Sequence, residues 1–287
     1  MYNVNIKGVL FMKKILILLC LLFGFLTTTY AAENYDVPVC IMFNGSYINF
    51  ENEPVLIGGT TYLPVRFFCE ALSAEVEWID ETQTVMVSFG DDVISLDIGS
   101  STAYINGNPT KINGSALLIN SLTYLPVRFI AESLGGDVSW DGNYYTAKIS
   151  MDNAKLPDEL KTNRSYSNDE IYWLAKIISC ESEDEPMKGK IAVGNVVLNR
   201  VKSDEYPNTI YSVIFDKEFG YQFQPVANGS IYKDAVQDAY LAAKLCLEGH
   251  NVVADCMYFL NPDKATSFWI TQNKNYYTTI GNHDFYY

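Results

Sequence analysis

Four carboxylates lie within seven residues in the stretch CESEDEP, at residues 180–186. They are Glu181, Glu183, Asp184 and Glu185. A carboxyl group can act as a general acid near neutral pH when burial raises its pKa, whereas a solvated acidic run does no chemistry. The helices on either side of the run indicate which of the four is buried.

The residues before the run predict a helix. Ser167 and Glu170 have the spacing of a capping box, and apolar residues then recur at helical intervals. We predict a helix from about Asn168 to Cys180 or Ser182. Glu181 follows Leu174 by seven residues, so it lies on the apolar side, at the negative end of the helix dipole. Both effects raise a carboxyl pKa and favour a general acid; the alternative is a partly buried, hydrogen-bonded glutamate.

The other members of the run differ from this one. Glu183 points away from the apolar side, and we expect it to be solvated. Asp184 adds a like charge, which we expect to raise the pKa of its neighbour further. Pro186 ends the segment or opens the next helix, predicted at about Met187–Val201, and Gly194 permits close packing there.

The first half of the chain is an internal repeat. TYLPVRFFCEALSAEVEW at 61–78 matches TYLPVRFIAESLGGDVSW at 123–140, at an offset of 62 residues. Asn-Gly pairs at 44–45 and 106–107 coincide at this offset, and each predicts a hairpin. We expect Trp78 and Trp140 to be core residues. The predicted fold class is α+β: two tandem βαββ-like modules followed by a mostly helical domain.

Composition divides the chain into four segments: a signal peptide at 1–32, the tandem modules at 38–151, a polar linker at 152–166 and a C-terminal domain at 167–287. The signal peptide has Lys13 and Lys14 before an apolar run and small residues after it. We expect secretion with cleavage after Ala31 or Ala32. An uncleaved membrane anchor is the alternative, although the apolar run is shorter than the about 20 residues that a span needs.

Charge and residue counts exclude several classes of partner. The net charge is −14, and residues 33–154 hold four basic and sixteen acidic side chains, so nucleic acid is not expected to bind. Two histidines and six scattered cysteines give neither a disulfide framework nor a metal site, and no cofactor is expected. A partner must be held by hydrogen bonds, stacking or apolar contact.

The repeated TYLPVRF…W motif resembles the copper amine oxidase N-terminal-like domain over about residues 38–151. No histidine occurs in that span, so copper binding is not implied. The resemblance implies a non-catalytic module with wall or spore-coat contacts, or else a spacer.

The C-terminal domain resembles the SleB-like cell wall hydrolases, the spore cortex-lytic family. The matching stretches are LAKIISCESEDEPMKGKIAVGNVVLNRV at 174–201, QFQPV at 222–226, YFLNP at 258–262 and IGNHDFYY at 280–287. The resemblance implies a lysozyme-like α+β fold and a lytic transglycosylase that cleaves glycan strands between N-acetylmuramic acid and N-acetylglucosamine. Glu181 would be the catalytic residue, and the implied substrate-binding residues are Glu185, Gln222, Tyr258, Asn261 and Asn282. We expect Phe223 and Trp269 to be core residues.

Departures from the family pattern at Cys180, Ser182 and Asp184 leave two alternatives open. One is a catalytically weak wall-binding or scaffold protein. The other is a peptidoglycan amidase that uses a metal or the Cys180 thiol, although two histidines far apart in sequence are poorly suited to zinc.

Overall fold

The computed structural model describes residues 37–152, 154–218 and 220–287, which lie within one compact unit, Asp36–Tyr287. The signal peptide predicted at 1–32 lies outside the described residues. The strands are β1 Cys40–Phe43, β2 Ser46–Ile48, β3 Val55–Ile57, β4 Thr60–Pro64, β5 Glu75–Ile79, β6 Thr84–Phe89, β7 Asp92–Asp97, β8 Thr102–Ile105, β9 Asn108–Lys111, β10 Leu117–Ile119, β11 Leu122–Pro126, β12 Asp137–Asp141, β13 Thr146–Ser150, β14 Lys161–Thr162, β15 Tyr258–Leu260, β16 Tyr276–Ile280 and β17 His283–Tyr286. The α-helices are α1 Val65–Ala71, α2 Val127–Ser133, α3 Asn168–Ser182, α4 Met187–Lys202, α5 Ile210–Ile214, α6 Gln224–Asn228, α7 Gln237–Leu247 and α8 Trp269–Asn273.

The repeat appears as two copies of one element order. Strands β1 to β4, helix α1 and strands β5 and β6 recur as β8 to β11, α2, β12 and β13. Both predicted Asn-Gly turns are present, with φ of 45° and 85° at Asn44 and Gly45 and 51° and 79° at Asn106 and Gly107. Such positive angles define the tight hairpin turn that Asn-Gly favours.

The predicted local pairing is present, for example between β5 and β6 and between β12 and β13, but the copies are not independent βαββ-like modules. Each copy has four strands before its helix, and strands pair between copies: β1 pairs in parallel with β13, and β4 pairs antiparallel with β11. Buried residues of both copies form one hydrophobic core, which includes Leu63, Phe68, Leu125 and Ile130. Neither helix–hairpin unit buries its apolar face alone, so the two fold against each other.

The predicted linker at 152–166 is partly structured. Leu156 is buried in the core of the repeats, and a 3-10 turn spans Asp158–Leu160. Strand β14 then adds to the five-stranded sheet of order β12-β13-β1-β2-β14. The polar composition of the linker did not indicate the apolar contacts of Leu156 and Leu160 with the core of the repeats.

The helices of the C-terminal part agree with the prediction. Ser167 and Glu170 form both hydrogen bonds of the capping box that begins α3, and Pro186 is the N-cap of α4. Helices α3, α4 and α7 pack against one another. A Cβ at Gly194 would lie 2.7 Å from the Cys246 sulfur, so glycine is needed for this close packing.

The remaining elements complete the α+β class that the sequence predicted. A three-stranded sheet of order β15-β17-β16 packs against α4. Helix α7 contacts the repeats, where Lys244 Nζ lies 3.1 Å from Cys40 Sγ and Gln237 Nε2 donates to the Gly142 carbonyl at 2.7 Å. Among the described residues, no helix is long and apolar enough to cross a membrane.

Candidate functional site

Glu181 lies in the last turn of α3, beside the helix face that packs on α4 and α7. Ile178 and Leu174, about one and two turns earlier, are fully buried on that face. Burial raises the pKa of Glu181 from an ordinary 4.5 to about 7, and the nearby Arg200 guanidinium opposes part of the rise. The predicted upward shift is therefore confirmed, and its main cause is desolvation.

Asp184 does not contribute to this shift. It is exposed, and the causes of the shift are burial and Arg200. The expectation that Asp184 raises the pKa of Glu181 was wrong because solvent screens a charge that points outward. Glu183 is exposed, as predicted.

Arg200 lies in the last turn of α4, near Glu181. Its side chain is buried, and Nε donates to the Met257 carbonyl at 2.8 Å. Its Nη1 is buried without a hydrogen-bond partner among the described residues. A buried guanidinium N–H without an acceptor is costly, so this nitrogen is a site of unsatisfied hydrogen-bonding capacity beside Glu181. The sequence analysis did not identify Arg200 as a site residue. Its position near the end of the predicted helix, in VVLNRV, was the one feature that could have indicated it.

Three aromatic rings surround the Arg200 guanidinium. Its central carbon lies 5.1 Å from the ring centre of Tyr206, 5.2 Å from that of Phe223 and 5.8 Å from that of Tyr258. These cation–π contacts hold the guanidinium in one orientation. Phe223 is buried, as expected for a core residue.

Tyr258 joins this cluster to the surface. Burial raises its pKa, but hydrogen bonds with Lys274 and Tyr206 outweigh that effect and lower the pKa below its ordinary value. Lys274 Nζ lies 4.3 Å above the Tyr258 ring. Trp269, whose ring centre is 6.2 Å away, is 53% exposed, so its assignment to the core was wrong. A short helix, α8, presents it at the surface instead of burying it.

Gln222 and Asn261 flank the cluster in sequence. Gln222 is partly buried and directly precedes Phe223, while Asn261 follows β15, which begins at Tyr258. The Asn261 side-chain oxygen accepts a hydrogen bond from the Asp263 amide at 3.0 Å. Tyr258 is thus brought beside the Arg200 guanidinium, and Gln222 and Asn261 are held on the adjoining segments.

Glu185 and Asn282 bind each other. Glu185 is buried, and its two carboxylate oxygens accept from the Asn282 amide at 3.0 Å and from its side chain at 2.8 Å. His283 Nδ1 lies 3.5 Å from the same carboxylate, and burial lowers the His283 pKa. Both oxygens are occupied within the protein, which favours a role in fixing the β16–β17 turn over direct contact with a ligand.

Cys180 is poorly suited to be a nucleophile. Its sulfur lies 3.4 Å from the Ser230 carbonyl, and burial raises its pKa. The thiolate is the reactive form, so this environment disfavours a cysteine mechanism. Within the described ranges, no group of three or more His, Cys, Asp or Glu residues is arranged to hold a metal ion.

Known families match both halves of the chain. Residues 42–173 match the copper amine oxidase N-terminal domain, and residues 184–286 match the cell wall hydrolase family. The first match extends through the predicted linker into α3. The second begins after Glu181, so it does not itself cover that residue.

Relatives match the C-terminal part. A spore cortex-lytic enzyme of Bacillus cereus is 38% identical over 118 residues, which are 40% of this chain and 44% of the relative. The spore cortex-lytic enzyme of Bacillus subtilis strain 168 is 35% identical over 41% of this chain and 38% of the relative. The chain thus spans less than half the length of these relatives.

A solved structure also matches. It is the catalytic domain of the germination-specific lytic transglycosylase SleB from Bacillus anthracis, 36% identical, with a TM-score of 0.40. The match covers 44% of this chain and all of that domain. The family resemblance read from the four motifs is confirmed: residues 184–286 match the cell wall hydrolase family and follow a region that matches the copper amine oxidase N-terminal domain.

Proposed function

We propose that this chain is a secreted peptidoglycan hydrolase that cleaves glycan strands between N-acetylmuramic acid and N-acetylglucosamine as a lytic transglycosylase. The observation that carries the proposal is the partly buried Glu181, with its pKa raised to about 7 and Arg200 nearby. A carboxyl group with this pKa is about half protonated at pH 7, so it can donate a proton to the glycosidic oxygen. The cell wall hydrolase match and the spore cortex-lytic relatives support a peptidoglycan substrate.

A single carboxyl group suffices for the proposed reaction. Glycosidases that add water use two carboxyl groups, one as acid and one as nucleophile or base. The proposed reaction needs only the one carboxyl group because the substrate provides its own nucleophile.

The steps then follow from Glu181 alone. Its proton passes to the glycosidic oxygen, and the bond to C1 of N-acetylmuramic acid breaks. The resulting carboxylate takes the proton of the C6 hydroxyl of the same sugar, whose oxygen bonds to C1. Glu181 is again protonated, no water is consumed, and the product ends in a 1,6-anhydro sugar.

The other site residues bind and orient the strand. Partly buried Tyr258, Gln222 and Asn261 present polar groups to the sugars. The buried Arg200 holds Tyr258 in place through its cation–π contact. Exposed Trp269 offers a ring face to a sugar. Glu185 and Asn282 support this surface by holding the β16–β17 turn.

Product analysis tests the reaction. Spore cortex and vegetative peptidoglycan are digested with the wild-type chain, Glu181→Gln and Cys180→Ala, and the products are identified by mass spectrometry. We expect anhydromuramic ends from the wild type and Cys180→Ala and none from Glu181→Gln. Free peptide stems, or loss of activity with a chelator, would establish the amidase alternative. Binding to peptidoglycan without any soluble product would establish the scaffold alternative.

The location of the protein is part of the proposal. A signal peptide at residues 1–32 would direct the chain to the cell wall or spore, where the N-terminal repeats would add wall or coat contacts. N-terminal sequencing of the protein from the culture medium and from spores tests this, with a mature end at residue 32 or 33 expected. A mature chain that retains Lys13 would contradict it.

A further inference from the structure

Two open grooves occupy equivalent places in the two repeats. Groove 1 is lined by Arg66, Glu70 and Trp78 and encloses about 610 Å³. Groove 2 is lined by their counterparts Arg128, Glu132 and Trp140 and encloses about 460 Å³. Both volumes lie within the range of small-molecule sites in proteins.

Each groove is built from both copies. Groove 1 is completed by Thr123 of β11, and groove 2 by Thr61 of β4. The reason is the antiparallel pairing of β4 with β11, in which Leu63 lies opposite its own counterpart Leu125. This register relates the two copies by an approximate two-fold axis, so the pairing that forms one groove also forms the other.

The polar wall has the same geometry in both grooves. In groove 1, Arg66 Nη1 donates to Glu70 at 3.1 Å and to the carbonyl of Val76 at 2.8 Å. In groove 2, Arg128 Nη1 donates to Glu132 at 3.0 Å and to the equivalent carbonyl at 2.8 Å. Each pair is a planar, fixed set of donors and acceptors with no net charge.

The two copies retain these residues although burial does not require it. Exposed positions outside the grooves have diverged, as where Glu81 in one copy corresponds to Asn143 in the other. The Arg and Glu side chains of both grooves are about half exposed. Trp140 is 42% exposed, so its predicted core position was wrong, while Trp78 is partly buried. Exposed ion pairs contribute little to stability, so stability alone does not account for their retention.

We propose that the two grooves are equivalent binding sites for a neutral, N-acetylated glycan strand. A pyranose ring has an apolar face that fits against an indole ring, and its hydroxyl and amide groups match a fixed fork of donors and acceptors. The acidic excess of this half of the chain disfavours anionic polymers, and the paired Arg and Glu offer no free charge to attract them. The inference does not depend on cleavage by Glu181.

Two sites on one rigid body would hold a long strand more tightly than either site alone, because the second contact is intramolecular. This assigns the wall contact proposed for the repeats to particular residues. If the C-terminal domain cleaves glycan strands, the grooves would keep it on its substrate between cuts.

Calorimetric titration counts the sites. The probe is the soluble β-1,4-linked tetramer of N-acetylglucosamine, titrated into the full chain carrying Glu181→Gln so that the probe cannot be consumed. We expect Trp78→Ala and Trp140→Ala each to lower the number of tetramers bound per chain by one, and the double variant to lower it by two. Tyr104→Ala, which removes an exposed ring of the same repeats outside both grooves, should leave the number unchanged.

A second pair of variants covers the case in which a tryptophan substitution disturbs folding. Glu70→Ala and Glu132→Ala remove half-exposed acceptors, and we expect each to weaken its own groove on the order of tenfold. Circular dichroism confirms the fold of every variant. An unchanged number of bound tetramers in a folded double tryptophan variant, or binding of free stem peptides in place of the tetramer, would overturn the proposal. Because cleavage is not measured, failure here is distinct from failure of the proposed reaction.

Discussion

Replacing Glu181 with Gln should stabilise the protein at alkaline pH while it removes activity. The wild-type carboxyl has a pKa of about 7 in the folded state and an ordinary value of 4.5 when unfolded. Because the carboxyl has a higher pKa in the folded state than in the unfolded state, it contributes stability to the fold at low pH. This contribution is fully present below pH 4.5 and is lost as pH rises through 7. The shift corresponds to about 3 kcal/mol.

Gln cannot ionise, so the variant does not lose this stability. At pH 4 the two proteins should differ little in free energy of unfolding, because Gln and a protonated Glu have nearly the same shape. At pH 8 the variant should be more stable by about 3 kcal/mol. Urea unfolding at both pH values, followed by tryptophan fluorescence, measures the difference, and groups common to both proteins cancel.

Exposed Glu183 supplies the matched control, since Glu183→Gln removes a carboxylate from the same acidic run. No comparable gain at pH 8 is expected there. If Glu181→Gln gave the same stability difference at pH 4 and pH 8, the carboxyl would not be desolvated, and the argument for a general acid would fail. In activity assays the wild-type rate should fall above about pH 7, and Glu181→Gln should lose at least about 10²-fold.

Three further outcomes follow from the site. Asp184→Gly should leave the alkaline limb of the pH–activity profile in place, because burial sets the pKa of Glu181; a shift of that limb to lower pH would contradict this. Arg200→Met should lower turnover and move the same limb to higher pH, since its charge holds that pKa down; an unmoved limb would show that the guanidinium does not act on the carboxyl. Gly281→Ala should lower the melting temperature, at a cost of about 2 kcal/mol or more, because φ is +60° and a Cβ would collide with the glutamate carboxylate that anchors this turn. Gly229→Ala is the control, with φ of +79° but open space around it; equal losses in both would mean that the collision does not matter.

Patterns within a few residues were sufficient for much of the fold. The capping box at Ser167 and the 3.6-residue periodicity predicted α3 and α4 nearly to the residue. The Asn-Gly pairs predicted hairpin turns that the structure contains. These features depend on contacts between neighbours in sequence, where backbone preference and side-chain spacing carry the information.

The same local patterns predicted that Glu181 is partly buried but not what surrounds it. Arg200 lowers its pKa from a different helix, and the rings that orient Arg200 come from three further segments. The bond between Glu185 and Asn282 joins positions 97 residues apart. Trp269 and Trp140 were expected in the core, and only the tertiary packing shows that each keeps an exposed face.

The sequence by itself determined helices α3 and α4, the Asn-Gly turns, the repeat, the family resemblance and the identity of the candidate acid. Tertiary structure decided that β4 pairs with β11 across the copies, which forms two grooves, and that Arg200 lies beside Glu181, which tempers its pKa. Local conformation is set by residues a few positions apart. Burial, charge proximity and strand pairing depend on segments that meet only after the chain has collapsed onto its core, and no short window of sequence contains both partners.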